Sequence, residues 1–136
     1  MTKGRTFRIP TVKFDLENGY FSIKGRSTPE NAKEFYEPYI QQIKDYIESP
    51  CEATVFDVFL EHINTSTQKC LFEIFRLLEQ IPNEERSIVL NWYFEEQDED
   101  MQEYGEDFKE VVDIPVDLIK VPDPGFEEED YEPLLD

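Results

Sequence analysis

The sequence has little of the material from which metal sites and nucleotide sites are built. It contains one histidine, two cysteines and five glycines in 136 residues. Zinc sites use His and Cys ligands in closely spaced pairs, and Cys51 and Cys70 lie 19 positions apart with no Cys-x-x-Cys motif. The chain also lacks a Gly-rich phosphate loop and a Ser, His and Asp series. We therefore expect no metal and no cofactor, and both cysteines should be reduced thiols.

Basic residues are scarce as well. Thirteen Lys and Arg stand against 32 Asp and Glu, which gives a net charge of -19. Such a chain repels phosphates, so neither a nucleic acid nor an anionic membrane surface is an expected partner. The acidity belongs to the C-terminal third, because residues 95–136 hold 18 acids and two bases, whereas residues 1–94 hold 14 acids and 11 bases.

Long apolar runs are missing too. No run approaches the roughly 20 residues of a transmembrane helix, and the start MTKGRTFRIP has no apolar signal region, so a cytoplasmic location is expected. The length fits one domain, and a 39% hydrophobic fraction can fill its core. We expect a basic N-terminal arm over residues 1–10, a domain over 11–121 and an acidic flexible tail over 122–136.

Alternating apolar residues predict an opening β-hairpin. The patterns Thr11–Leu16 and Tyr20–Lys24 flank Asn18-Gly19, a pair that favours the positive φ angles of a tight turn. A helix is predicted to begin at Thr28-Pro29, with Thr28 as its cap. Pro38 lies inside the helical pattern and should kink this helix or divide it in two.

Strands and helices alternate along the rest of the chain. Ala53–Ile63 is predicted to be a strand with His62 on the face of Phe56, Val58 and Leu60. After a polar break at Asn64-Thr65-Ser66-Thr67, a helix carries Leu71, Ile74, Phe75, Leu78 and Ile81. The later elements are a strand at Ser87–Phe94, a helix at Asp98–Val112 and a strand at Val116–Val121. The order ββαβαβαβ predicts one α/β domain whose mixed sheet of about five strands is covered by helices through parallel crossovers.

The junction Asn64-Thr65-Ser66-Thr67-Gln68-Lys69 places three hydroxyls where a strand passes into a helix. The free N–H groups and positive dipole end of a helix N-terminus stabilise a phosphate. Phosphorylation there would add a charge of about -1.5 to -2 and alter any interface at that end. An ordinary N-cap is the alternative, because Asn, Ser and Thr are preferred at this position.

Two other clusters suggest further chemistry. The acidic stretch 98–108 does not match the calcium loop of an EF-hand, since no register places Gly sixth and Glu twelfth. It is either a solvated helix face or a docking surface for a basic partner. His62 and Cys70 could form a nucleophile pair, but both lie among apolar residues and more simply serve the core. No enzyme activity is expected.

Several segments together resemble the SiaC family, the small phosphoproteins of bacterial biofilm and cyclic-di-GMP signalling. The resemblance runs over about residues 12–121. Its segments are Phe14-Asp15 with Asn18-Gly19, Ile23-Lys24-Gly25-Arg26-Ser27, Pro29-Glu30-Asn31, Phe35-Tyr36-Glu37-Pro38, Asn64-Thr65-Ser66-Thr67-Gln68-Lys69, Asn91-Trp92-Tyr93, Asp98-Glu99-Asp100-Met101 and Gly105-Glu106.

The resemblance implies a non-enzymatic partner switch, similar in logic and loosely in fold to STAS-type anti-sigma-factor antagonists. A dedicated SiaB-like kinase of the histidine-kinase-like ATPase type would phosphorylate one hydroxyl, and a PP2C-like phosphatase would remove the phosphate. The unphosphorylated form would bind and activate a diguanylate cyclase or another effector. The family's modified residue is the Thr of Asn-Thr-Ser, here Thr65, and Ser66 is the runner-up.

A partner is expected to dock over this corner and over the acidic helix. The residues expected to contact it are Asn64, Ser66, Thr67, Lys69, Arg26, Ser27, Asp98 and Asp100. Arg26 is also a candidate to pair with a phosphate on Thr65. Two alternatives stay open, namely a constitutive acidic adaptor that is indifferent to phosphorylation and a small enzyme that uses Cys70 or His62.

Overall fold

The protein, described here from a computed structural model over residues 9–82 and 86–122, is built on one five-stranded sheet. The elements are β1 (Thr11–Asp15), β2 (Tyr20–Ser27), α1 (Ala32–Tyr46), β3 (Ala53–Ile63), α2 (Thr65–Leu78), β4 (Ser87–Glu95), α3 (Glu99–Val111) and β5 (Val116–Val121). This confirms the predicted mixed sheet and element order. Most of the predicted arm and tail lies outside the described residues. None of the helices described is long and apolar enough to cross a membrane.

The strands follow one another across the sheet in chain order. β1 pairs with β2 antiparallel, and β2, β3, β4 and β5 pair in parallel. Each parallel crossover therefore advances the same way across the sheet. With the usual right-handed crossover, this order places all the connecting helices on the same face.

The aromatic contacts show which face that is. Phe56 of β3 packs edge-on against Phe75 of α2 at 5.8 Å between ring centroids, and Trp92 of β4 lies 5.3 Å from Phe108 of α3. The ring of Phe21 in β2 lies 4.9 Å from that of Tyr46 in α1. The expected helical cover is thus correct for one face only. Within the described ranges, the opposite face carries no helix.

The β1–β2 connection differs from the predicted tight turn. Four residues, 16–19, separate the paired ends Asp15 and Tyr20, and Gly19 is the residue here with a positive φ, of 71°. Asn18 instead donates from its side-chain amide to Asp15 Oδ2 at 2.8 Å. A Cβ atom on Gly19 would collide with the Ala53 carbonyl oxygen, so both its φ and its contact with β3 require glycine.

Helix α1 begins later than predicted and is not divided. Its N-cap is Asn31, whose side-chain oxygen accepts from the Glu34 N–H at 3.1 Å. Pro38 lies within one continuous helix. Proline removes the bond that would reach the Glu34 carbonyl, but both residues are exposed, so water can bind that carbonyl.

A β-bulge corrects the predicted faces at the end of β3. Gly25 pairs with Leu60 but Arg26 pairs with His62, so Glu61 is an extra residue in β3. The bulge reverses the alternation after Leu60. His62 is consequently exposed, contrary to the prediction, and Ile63 is the residue that turns into the core. At the far end of α2 the prediction was also too long, since the helix ends at Leu78 and Ile81 is buried beyond it.

Candidate functional site

The strand-to-helix corner after β3 is held by Asn64, the N-cap of α2. Its side-chain oxygen accepts from the Thr67 N–H at 2.9 Å, as the N-cap prediction requires. Its side-chain amide donates to the Pro29 carbonyl at 3.2 Å, and its backbone N–H donates to the Ser27 carbonyl at 3.3 Å. One residue therefore starts the helix and ties it to the end of β2.

The three hydroxyls of the corner have different environments. Thr65 and Ser66 are exposed, whereas the Thr67 side chain is 0% exposed. Thr67 lies four residues before Leu71 and seven before Ile74, so it belongs to the buried stripe of the helix. A kinase could reach the hydroxyls of Thr65 and Ser66, but that of Thr67 is closed to it.

Thr67 and Ser27 belong to a buried chain of hydroxyls rather than to a partner surface. Thr67 Oγ1 donates to the Ser27 carbonyl at 3.0 Å, and Ser27 Oγ lies 2.9 Å from Thr67 Oγ1 and 2.6 Å from the Tyr36 hydroxyl. Each hydroxyl has one proton, so the bonds can be satisfied together only if Tyr36 donates to Ser27 and Ser27 donates to Thr67. Burial raises the pKa of Tyr36, which keeps its proton in place.

This burial corrects two of the expected partner contacts. Ser27 and Thr67 are both 0% exposed, because β2 and the first turn of α2 pack them against α1. Sequence spacing alone places the hydroxyl run on the surface, since Ser and Thr are usually exposed. The useful indication was the helical period that joins Thr67 to Leu71.

Arg26 lies next to this corner but on the other face of the sheet. β2 and β3 are neighbours in the sheet, and Arg26 pairs with His62 across them. Its neighbour Ser27 points to the helices, so alternation directs the Arg26 side chain to the face without helices. Its Nε is buried and has no hydrogen-bond partner among the described residues.

A groove of about 330 Å³ lies between the N-terminal parts of α1 and α2. Its lining is Glu30, Asn31, Ala32, Lys33, Ser66, Lys69, Cys70 and Glu73. It thus includes one of the two exposed hydroxyls and two lysines. The sequence analysis did not predict Lys33 as a site residue. A signal was present, because a cation in the first turn of a helix is unfavourable next to the positive end of the helix dipole.

The acidic helix α3 begins at the same edge of the sheet as α2, because each helix follows the carboxyl end of a parallel strand. Asp98 is its N-cap and accepts from the Met101 N–H at 3.1 Å. Glu99 and Asp100 in the first turn are exposed and favourable to the helix dipole. Of the two predicted partner contacts in this helix, Asp98 has a structural role as the N-cap and Asp100 is exposed.

The structure does not bring together a catalytic pair. His62 is exposed on the face without helices, whereas Cys70 is buried in α2 on the helical side. Burial raises the pKa of the Cys70 thiol, with Glu73 adding to the rise, which opposes formation of a thiolate nucleophile. Within the described residues, no group of His, Cys, Asp and Glu side chains could hold a metal ion.

Comparisons with known proteins identify relatives with this fold. The family model described as SiaC family regulatory phosphoprotein matches residues 3–121. An uncharacterised protein of Pseudomonas aeruginosa strain UCBPP-PA14 is 28% identical over 110 residues, which cover 81% of this chain and 87% of that protein.

Two solved structures from Pseudomonas aeruginosa show the same architecture. A chain in the crystal structure of the diguanylate cyclase SiaD in complex with its activator SiaC superposes with a TM-score of 0.78 at 27% identity, covering 85% of this chain and 95% of that chain. A structure of SiaC gives a TM-score of 0.76 at 26% identity, with 85% and 93% covered.

Proposed function

Since the chain belongs to the SiaC family of regulatory phosphoproteins, we propose that it is a phosphorylation-controlled partner switch whose modified residue is Thr65. Ser66 is the second candidate for modification. The main support for the proposal is the difference in solvent exposure among the three hydroxyl residues at the start of α2. Thr65 and Ser66 are exposed, and Thr67 is buried. Only a hydroxyl that reaches the surface can enter the active site of a kinase.

The position suits a phosphate physically. Thr65 and Ser66 are the first two residues of α2, where backbone N–H groups lack helical partners and the helix dipole favours an anion. A phosphoryl group would add bulk and a charge of about -1.5 to -2 at the sheet edge where α2 and α3 begin. A partner surface fitted to the neutral corner would lose its contacts.

We propose that the unphosphorylated form binds and activates a diguanylate cyclase or a similar effector. The likeness to a chain crystallised with the cyclase SiaD supports this choice. The contact surface would include Asn64, Ser66, Lys69, Arg26 and Asp100, while Ser27, Thr67 and Asp98 hold that surface in shape. A SiaB-like kinase and a PP2C-like phosphatase would set the phosphorylation state in the cytoplasm, and the protein itself would catalyse no reaction.

Intact-mass measurement after incubation with the cognate kinase and ATP tests the site of modification. Wild type should gain one phosphate, Thr65→Ala should gain none, and Ser66→Ala should behave as wild type. Thr67→Ser, which keeps the buried hydroxyl and removes only a methyl group, is the matched control and should also be modified. A phosphate on Thr65→Ala but not on Ser66→Ala would move the switch to Ser66.

Effector binding completes the test. The phosphorylated protein should bind the effector at least tenfold more weakly than the unmodified protein. If a kinase of demonstrated activity modifies none of these proteins, the partner-switch proposal fails.

The exposed acids of α3 favour a second candidate function, a constitutive acidic adaptor. Glu99, Asp100, Glu103, Glu106 and Asp107 are all exposed. Such an adaptor would bind a basic partner with an affinity that falls as salt rises, because exposed charges are screened beyond about 10 Å at 0.1 M ionic strength. Its affinity would be the same for wild type and for Thr65→Ala before and after kinase treatment.

A further inference from the structure

The groove beside the exposed hydroxyls joins two lysines from different helices. Lys33 comes from the first turn of α1 and Lys69 from the second turn of α2. On a helix, residues three and four apart are neighbours, so Lys69 lies on the same side of α2 as Ser66 and Thr65. The two cations thus approach one exposed hydroxyl segment from both walls of the groove.

Lys33 and Lys69 are both exposed lysines without an ion pair among the described residues. The side chains of Lys33 and Lys69 are exposed, and within residues 9–82 and 86–122 neither ammonium group has an ion-pair partner. The groove lining therefore contains two exposed cations from two different helices.

The charge of Lys33 acts inside the groove. Burial is the largest cause of the raised pKa of Cys70, a residue of the groove lining. Glu73 adds to that rise, and Lys33 opposes it. Two acids, Glu30 and Glu73, also line the groove and would repel an anion placed there. Contact with the two lysines would offset this repulsion of an added phosphate.

We propose that Lys33 and Lys69 hold the phosphoryl group when it is present on Thr65 or Ser66, so that the modification closes the groove between α1 and α2. The inference rests on the proposed function, because it assumes that one of these hydroxyls is modified. Two lysines supply +2, which acts against the charge of Glu30 and Glu73 in the lining and against a phosphate of about -1.5 to -2. Charge-assisted hydrogen bonds of this type are about twice as strong as neutral ones.

This assignment differs from the sequence-based expectation that Arg26 pairs with the phosphate. Arg26 lies on the face of the sheet without helices, whereas the groove lies between two helices on the other face. Lys33 and Lys69 reach the groove without crossing the sheet. The bound phosphate would bridge the first turns of α1 and α2 and would occupy space that an effector side chain could otherwise enter.

The test places the phosphate without a kinase. Phosphoserine is incorporated during translation at position 65, and in a second protein at position 66, in the full chain. The second ionisation of the phosphate, with an ordinary pKa of about 6, is then followed by ³¹P nuclear magnetic resonance as the pH is changed. Cations in contact favour the dianion and lower this pKa.

The expected result is a pKa that rises by about half a unit or more when Lys33→Gln and Lys69→Gln are combined, in at least one of the two phosphoproteins. Lys44→Gln is the matched control, because it removes one exposed lysine from the last turn of α1. It should leave the pKa unchanged. Thermal unfolding of the unphosphorylated variants should match wild type, since both groove lysines are exposed.

Three results would overturn the inference. These are an unchanged pKa in the double variant of both phosphoproteins, an equal shift in Lys44→Gln, and a shift in Arg26→Gln larger than that of the lysine variants. Because the phosphate is installed without the kinase, failure here is separate from failure of the partner switch. A kinase that modifies neither hydroxyl would overturn the switch but would leave this titration interpretable.

Discussion

The hydroxyl oxygens of Ser27 and Thr67 lie 2.9 Å apart, although the two residues are 40 positions apart in the chain. Ser27 ends β2, and Thr67 is the third residue of α2. Their contact, extended to Tyr36, joins the proposed modification corner to both the sheet and α1. The exposed Thr65 and Ser66 therefore directly precede a residue that this buried hydrogen-bond chain links to β2 and α1.

Removing the Thr67 hydroxyl should destabilise the protein. Thr67→Val keeps the shape of the side chain, but the Ser27 hydroxyl loses an acceptor and the Ser27 carbonyl loses a donor. We expect the free energy of unfolding to fall by about 1–3 kcal/mol. Urea denaturation followed by Trp92 fluorescence measures the change. Thr67→Ser keeps the hydroxyl and should lose less, so equal losses in the two variants would contradict the role of the bond.

The two functions of Asn64 can be separated. Asn64→Ala removes the N-cap acceptor and the donor to the Pro29 carbonyl, whereas Asn64→Asp keeps the acceptor. Loss of an N-cap costs about 0.5–2 kcal/mol, so we expect a loss in that range for the alanine variant and a smaller one for the aspartate variant. Chemical denaturation gives both values. An aspartate variant as unstable as the alanine variant would show that the bond to Pro29 matters more than the cap.

Gly105→Ala should destabilise the protein, although alanine is the better helix former. A Cβ at this position would collide with Trp92 Cδ1 and lie 2.7 Å from Leu118 Cδ2. Overpacking costs about 1–3 kcal/mol, which exceeds the gain of up to about 1 kcal/mol in helix propensity. The melting temperature should fall and the emission of Trp92, the sole tryptophan, should change. Glu103→Ala, on the exposed side of α3, is the control and should melt near wild type.

Stability should fall above pH 10. Burial raises the pKa of Tyr36, and burial together with the hydrogen bond to Asp57 raises the pKa of Tyr20 to about 12. An unfolded tyrosine releases its proton near pH 10, while these two keep theirs in the fold. The stability they contribute is complete below pH 10 and is lost as the pH rises through the folded values.

Denaturation between pH 8 and 11.5 checks this dependence. Tyr36→Phe should be less stable than wild type at pH 8, because its bond to Ser27 is gone, but should lose less stability as the pH rises. A wild-type stability that stays constant or increases between pH 10 and 11.5 would contradict the prediction.

The strand and helix pattern was predictable because it depends on local periodicity. Ala53–Ile63 and Val116–Val121 have the predicted ends, and each other described element overlaps its prediction. The predictions were wrong where a single residue changed the start of a helix or the alternation of a strand. Asn31 caps α1 three residues after Thr28, the expected cap, and the extra residue Glu61 reverses the faces of β3 beyond Leu60.

The candidate site was likewise predictable only in part. The sequence alone determined that a polar, hydroxyl-rich corner follows a strand and begins a helix, because caps and periodicity are properties of neighbouring residues. It also carried the resemblance that names Thr65. Which hydroxyls face solvent depended on packing, since Thr67 is buried by β2 and α1, whose residues are distant in the chain.

Only the tertiary structure decided which charged groups share the corner. Lys33 and Lys69 are 36 positions apart, and they meet at one groove because β2 and β3 are adjacent and their following helices lie side by side. Arg26 is closer to Ser27 in sequence than either lysine, yet strand alternation sends it to the opposite face. Spacing along the chain determines local structure, whereas contact between elements depends on strand order, which no local pattern encodes.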